Sequence, residues 1–222
     1  MKNLKGLLVV ALMAVSAPAF AQFANSGSSS SADTEDYNRV GISYENFTLS
    51  PDYDDAENTG LNGVGVSYIH GFSVSSTLPI FVETGAKFTA AFKNENGGDY
   101  YDEDAEVKTT YLNIAVPVNV AYKFAVGEGM SIQPYLGLNL KFNLVAKQKM
   151  SFDEAPEDDE SIDFFDKDDV DNTWKRFQLG WHIGAGFNYK QFYVGLSYGT
   201  DLVKIAKKLN TGTFSVGVGY NF

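Results

Sequence analysis

The 222-residue chain carries 28 acids against 17 bases, a net charge of −11, and has no cysteine. Such acidity argues against a nucleic-acid partner, whose phosphates call for a basic face. The missing thiols exclude disulfide scaffolds, thiolate catalysis and cysteine metal sites; with no HExxH spacing either, no transition-metal site and no cofactor are expected.

Lys2 and Lys5 precede an apolar run from Leu7 to Val15 and the small-x-small stretch Ala19, Phe20, Ala21. This is the layout of a secretory signal peptide over residues 1–21, and its apolar run is too short to cross a bilayer as a helix. Cleavage before Gln22 removes two lysines and no acid, taking the net charge from −11 to −13. Residues 22–36, which include Ser28 to Ser31, are too polar to bury and read as a flexible serine-rich tether. Residues 37–222 show no heptads, no useful 3.6-residue periodicity and no internal repeat, so one β domain is expected there.

Period-two alternation, which sends successive side chains of a strand to opposite faces, then runs through the domain. Weaker alternations start near Val40, Leu61 and Ile80. In the fourth strand Leu112, Ile114, Val116, Val118, Val120, Tyr122 and Phe124 alternate with Tyr111, Asn113, Ala115, Asn119, Ala121 and Lys123. The fifth sets Ile132, Pro134, Leu136, Leu138, Leu140, Phe142, Leu144 and Ala146 against Gln133, Tyr135, Gly137, Asn139, Lys141, Asn143 and Lys147. The sixth sets Phe177, Leu179, Trp181, Ile183, Ala185, Phe187 and Tyr189 against Arg176, Gln178, Gly180, His182, Gly184, Gly186 and Asn188. A weaker seventh starts near Phe192, and the eighth sets Phe214, Val216, Val218, Tyr220 and Phe222 against Thr213, Ser215, Gly217, Gly219 and Asn221.

Alternation alone would also suit a soluble barrel with its apolar face turned inward. Three features select a membrane-spanning one. The second face is rich in Gly, Ser, Asn and isolated charges, as a narrow polar lumen requires. Connections alternate in length: short at 75–78, 127–129 and 190–191, long at 50–59, 93–106 and 151–172, which matches short periplasmic turns and long external loops. Aromatics gather at strand ends, as Tyr122 with Phe124, Phe187 with Tyr189 and Tyr220 with Phe222, where rings favour the bilayer interface. The fold expected is an all-β, eight-stranded, antiparallel, up-and-down transmembrane β-barrel with both termini in the periplasm.

Over residues 37–222 the chain resembles the bacterial outer-membrane β-barrel domain family, which includes small OmpA-like, OmpX-like and PorT-like barrels. The C-terminal Ser215, Gly217, Tyr220 and Phe222 match that family's assembly signal. The resemblance implies an outer-membrane location and recognition by the barrel assembly machinery. No peptidoglycan-binding domain, plug or energy-coupling box is expected, so the likeness implies place and fold more than function.

Candidate functional residues fall into four groups. Pro117 cannot donate to a ladder inside the fourth strand, so a bulge or lumen-facing kink is expected there, or a lateral gap that would admit a lipid tail. Glu45, Glu83, Lys87, Lys141 and Arg176 should face inward on this register, and buried charge must be paired, so an ion-pair network plugging the lumen is expected, acting as a packed core or as a gate. His182 in the lumen is the candidate catalytic residue, whereas His70 sits near the periplasmic end of the second strand. Between Asp153 and Asp171 stand eleven acids against Lys167 alone. Of these Asp158, Asp159, Glu160, Asp166, Asp168 and Asp169 form a possible site for divalent cations, although no EF-hand spacing is present. Phe152, Ile162, Phe164 and Phe165 interrupt that run and could anchor a partner or staple the loop down.

The functional reading is a structural or interaction barrel, not an enzyme, whose acidic outer loops contact lipopolysaccharide, cations or an envelope protein. The alternative is a barrel enzyme modifying lipid A acyl chains through His182, with a small-solute pore behind it.

Overall fold

The computed structural model of the chain describes residues 34–53, 56–96, 105–152 and 159–222. The signal peptide and most of the tether lie outside these. Among the described residues ten strands are formed: β1 (Tyr37–Pro51), β2 (Thr59–Ser73), β3 (Ile80–Asn96), β4 (Ala105–Tyr122), β5 (Phe124–Gly127), β6 (Met130–Phe152), β7 (Glu160–Asp163), β8 (Phe177–Tyr189), β9 (Phe192–Asp201) and β10 (Leu209–Asn221). Eight make a closed ring. Each pairs antiparallel with its chain neighbour, β4 pairs β6 and β6 pairs β8, and β1 closes on β10 from Arg39↔Asn221 to Pro51↔Leu209. The short β5 continues the line of β4 beyond Lys123, and β7 hangs on β6 outside the ring. Closure leaves no edge within the wall, which is what a sheet in hydrocarbon must achieve.

The pleat sorts side chains as the alternation predicts. On β1, Ile42 is 63% exposed whereas Glu45 is 1% exposed. Val64, Val66, Val118, Leu138, Leu196 and Val218 continue the outward apolar surface around the ring. At the end where β1 begins and β10 finishes, Phe187, Tyr189, Phe192, Tyr220 and Phe222 stand exposed on the outer wall. The opposite end carries the long connections and is called here the loop end.

Two local departures have physical causes. Pro117 does not produce a bulge. Its side chain is buried on the lumen face, and it keeps its place opposite Asn139 of β6. On the β3 side the ladder runs from Thr84↔Val118 to Lys87↔Ala115 without a change of register, so the missing N–H costs local pairing only. The bulge lies elsewhere: Leu112↔Val145 is followed by Asn113↔Asn143, so Leu144 is the extra residue in β6. One inserted residue swaps the faces beyond it. Ala146, expected on the outer wall, is buried, and Lys147, expected in the lumen, is exposed. Strand structure also reaches further than the alternation suggests, for β3, β4 and β6 continue into the connections at 93–106 and 151–172.

Candidate functional site

Inward-facing polar side chains condense into three clusters along the lumen. Nearest the start of β1, Glu83 is fully buried. Its Oε1 accepts from the Tyr37 hydroxyl at 2.5 Å, Arg39 Nη2 at 2.8 Å and Gln133 Nε2 at 3.0 Å, and its Oε2 accepts from Asn119 Nδ2 at 3.0 Å. Four donors, one of them cationic, are what a buried carboxylate needs to offset lost hydration. The Arg39 guanidinium also lies 3.8 Å over the Tyr193 ring. Lys123 places its ammonium 4.0 Å over Tyr37 and 4.7 Å over Phe81, closing this end with rings and charge together.

Midway along, Glu45 Oε1 accepts from Lys87 Nζ at 2.5 Å, Ser43 Oγ at 2.6 Å and Ser215 Oγ at 2.7 Å. Nearer the loop end, Asp201 Oδ2 accepts from Lys141 Nζ at 2.8 Å, from Gln178 Nε2 at 3.0 Å and from the Thr211 hydroxyl. Asn143 links this cluster outward, donating to Gln178 Oε1 at 2.9 Å and accepting from the Tyr111 hydroxyl at 2.6 Å.

Above Tyr111 the mouth is capped by apolar packing. Ile205 and Ala206, from the β9–β10 connection, are buried against Phe47, Leu61, Ala91, Tyr111 and Ala146. Trp174 covers them, stacked on Phe164 at 4.6 Å with an 18° tilt and edge-on to Tyr111 at 6.2 Å. Backbone bonds tie the cap down, from Trp174 N to the Phe164 carbonyl at 2.7 Å and from Lys175 N to the Ile205 carbonyl at 2.6 Å. Phe164 and Phe165 therefore staple the loop inward.

Four of the five expected lumen charges, Glu45, Glu83, Lys87 and Lys141, come together in these clusters, as three separate pairs. Arg176 does not, and that expectation is corrected. The chain bends out of the sheet one residue before β8, opposite the bulge, so Arg176 is exposed. It donates to the carbonyls of Leu144 at 3.3 Å and Asn143 at 3.5 Å and lies 4.2 Å over the Phe165 ring. The charges that complete the pairs are Arg39 and Asp201. Both were within reach of the alternation: Arg39 shares its parity with Ser43 and Glu45, and Asp201 shares its own with Ser197 and Gly199.

Of the two histidines, His182 is buried in the lumen, where its Nδ1 accepts from Asn139 Nδ2 at 2.6 Å and its ring meets Tyr135 edge-on at 5.8 Å. His70 stands opposite Asn38 near the start of β1, its Nδ1 donating to Asn38 Oδ1 at 2.8 Å. Between the Arg39 and Asp201 clusters remains a cavity of about 150 Å3, whose wall includes His182, Lys87 and Asn113.

At the C-terminal strand Ser215 and Gly217 face the lumen, while Tyr220 and Phe222 face out, with Tyr220 edge-on to Phe192 at 5.9 Å. In the acidic loop, Asp153 to Asp158 lie outside the described residues. Asp159 pairs with Lys149 at 2.9 Å and accepts from the Phe152 N–H at 3.1 Å, and Lys149 with that N–H holds its carboxyl below the usual carboxylate range. Lys204 does the same for Asp52 at 2.8 Å. Asp166 caps the Asp168 N–H, Asp169 caps that of Asp163, and Glu160 is exposed on β7. Among the described residues no three acids or histidines converge to hold a cation.

Solved structures similar to this chain share its barrel at low identity. Ail of Yersinia pestis, in complex with the heparin analogue sucrose octasulfate, is 16% identical with a TM-score of 0.46, over 85% of this chain and 99% of that one. A major outer membrane protein of Thermus thermophilus is 14% identical with a TM-score of 0.46, over 82% and 99%. Neisserial surface protein A is 13% identical with a TM-score of 0.45, over 83% and 97%. No curated protein matches the chain. The family model of the outer membrane protein beta-barrel domain matches residues 7–222, and the chain belongs to that family of outer-membrane barrels.

Proposed function

We propose that this barrel is a non-conducting structural or interaction protein of the outer membrane, with its termini in the periplasm and its acidic loop end facing outward. The observation that carries the reading is the closure of the lumen at both ends. Tyr37, Phe81, Lys123 and the Arg39–Glu83 pair fill one end, and Ile205, Ala206 and Trp174 cover the other. An eight-stranded wall encloses little spare width, so filled ends leave no path for a solute. What remains for function is the rim. Its acids repel nucleic acid and suit lipopolysaccharide phosphates bridged by divalent cations, or a basic patch on an envelope protein. The barrel assembly machinery is the proposed partner during biogenesis, through Ser215, Gly217, Tyr220 and Phe222.

Planar-bilayer recordings test the closed lumen, with steady conductance expected to be absent from the wild type. A conductance that changes with Glu83→Ala would instead make the Arg39–Glu83 pair a gate. Crosslinking in whole envelopes tests the rim, with lipopolysaccharide or one envelope protein captured through the loops. An altered lipid A acyl pattern that depends on His182 would replace this reading with an enzymatic one.

A further inference from the structure

The apolar belt on the outer wall is not the same height all round. On β8 every outward side chain from Tyr189 to Phe177 is apolar, about 30 Å of belt at 3.3 Å per residue and a strand tilt of about 40°. On β4 the outward run from Tyr122 stays apolar as far as Leu112. On β1 only Val40, Ile42 and Tyr44 stand between the outward Asn38 and Asn46, a spacing of about 20 Å by the same measure. On β2 only Val64, Val66 and Tyr68 stand between Asn62 and His70. Asn38 belongs to the aromatic girdle, its backbone paired with that of Phe222, so the belt falls short at the loop end. There the Tyr44 hydroxyl donates to Asn62 Oδ1 at 2.5 Å and Asn46 Nδ2 donates to the same oxygen at 2.9 Å, a cluster facing away from the lumen. Thr48, Ser50, Gly60, Asn210 and Gly212 continue that face without an apolar side chain. Ile114 and Trp181, as many residues from Tyr122 and Tyr189 as Asn46 is from Asn38, are apolar.

An apolar band about 25 Å tall is what the hydrocarbon asks of such a wall, and an amide turned toward acyl chains is costly. Tilting the barrel can move a short belt but cannot lengthen it, so the lipid must adjust, which a bilayer does by thinning. We infer that the β10–β1–β2 sector is a lipid-docking face beside which the bilayer thins: the ester and hydroxyl level of the loop-end leaflet descends there by about 10 Å to meet Asn46 and Asn62. The cluster is uncharged, with amide donors and acceptors that suit ester carbonyls and hydroxyls better than phosphates. That this leaflet is the outer one rests on the orientation proposed above, whereas the unequal belt does not.

Single cysteines in the full chain, spin-labelled in lipid vesicles, test this whichever leaflet faces out. Labels at positions 46 and 62 should collide with a water-soluble nickel chelate, whereas those at 114 and 181 should meet oxygen and be shielded from nickel. Labels at 38 and 122 should read alike. Equal readings at 46 and 114, in either phase, would mean a belt of even height, and shielding of 46 and 62 from both reagents would mean a protein neighbour on the face; either overturns the inference. A difference between 38 and 122 opposite in sense to that between 46 and 114 would mean a tilted barrel, with the same consequence. The double variant Asn46→Leu, Asn62→Leu extends the belt and gives a second readout. From fourteen-carbon to eighteen-carbon phosphatidylcholine the wild-type urea midpoint should fall, and the fall should shrink by roughly half in the double variant. An equal fall in both would contradict the docking face.

Discussion

Replacing Glu83 by glutamine keeps the shape of the side chain and removes its charge, leaving Arg39 buried beside a neutral amide. The guanidinium is almost wholly enclosed and loses its 2.8 Å partner, while Tyr37 and Gln133 lose the strongest acceptor they share. Removing one partner of a buried pair costs about 3–5 kcal/mol, because the other charge stays desolvated. With an m value of roughly 2 kcal/mol per molar, that is a fall of about 1.5–2.5 M in the urea midpoint. Tryptophan fluorescence from Trp174 and Trp181, followed through reversible urea unfolding in lipid vesicles, reads it. The double variant Arg39→Met, Glu83→Gln removes the stranded charge and should be no less stable than Glu83→Gln alone. A single-variant loss below about 1 kcal/mol, the range of solvent-exposed pairs, would refute the argument that this pair is desolvated.

Three further outcomes are expected. Ile42→Arg, at an outward position 63% exposed, should cost about 2–4 kcal/mol in vesicles if it lies near the bilayer midplane, and a neutral result would place that face in water. Gly85→Ala drives a methyl group into the Tyr68 carbonyl oxygen across the β2–β3 ladder, so overpacking of about 1–3 kcal/mol should appear as faster unfolding; unchanged stability would mean that the wall yields there. Because Lys149 and the Phe152 N–H depress the folded pKa of Asp159, their contribution is complete above the ordinary carboxylate pKa of about 3.9 and disappears as pH falls through the lower folded value. The Phe152 amide shift should therefore titrate with a midpoint below that of a free aspartate and lose its titration in Asp159→Asn, and a midpoint at or above it would contradict the contact.

Most of the barrel is legible because a pleated strand has a strict period of two, and a wall with oil outside and polar groups within writes that period into composition. Ile132 to Leu144 and Phe214 to Phe222 alternate so regularly that face and strand number follow from them. The bulge at Leu144 is not legible, since one inserted leucine in an apolar row changes parity without changing composition. The misplacement of Ala146 and Lys147 follows from that residue, and Arg176, opposite it, leaves the sheet. Arg39 and Asp201 carried a parity signal, but they lie near the ends of weaker strands, where alternation is short. The apolar cap of Ile205, Ala206 and Trp174 depends on how two connections fold back over the mouth, a long-range packing that no local pattern encodes.

The orientation of the two faces is tested most directly by placing single cysteines along Arg39 to Glu45, in a chain that has none of its own. After spin labelling in lipid vesicles, collisions with oxygen, which dissolves in acyl chains, are compared with collisions with a water-soluble nickel chelate. Positions 40, 42 and 44 should be oxygen-accessible and shielded from nickel, and positions 39, 41, 43 and 45, inside the closed lumen, should be shielded from both. Period-two accessibility of the opposite phase, with Ile42 shielded from oxygen and the odd positions facing lipid, would contradict the fold's assignment to oil outside and charge within.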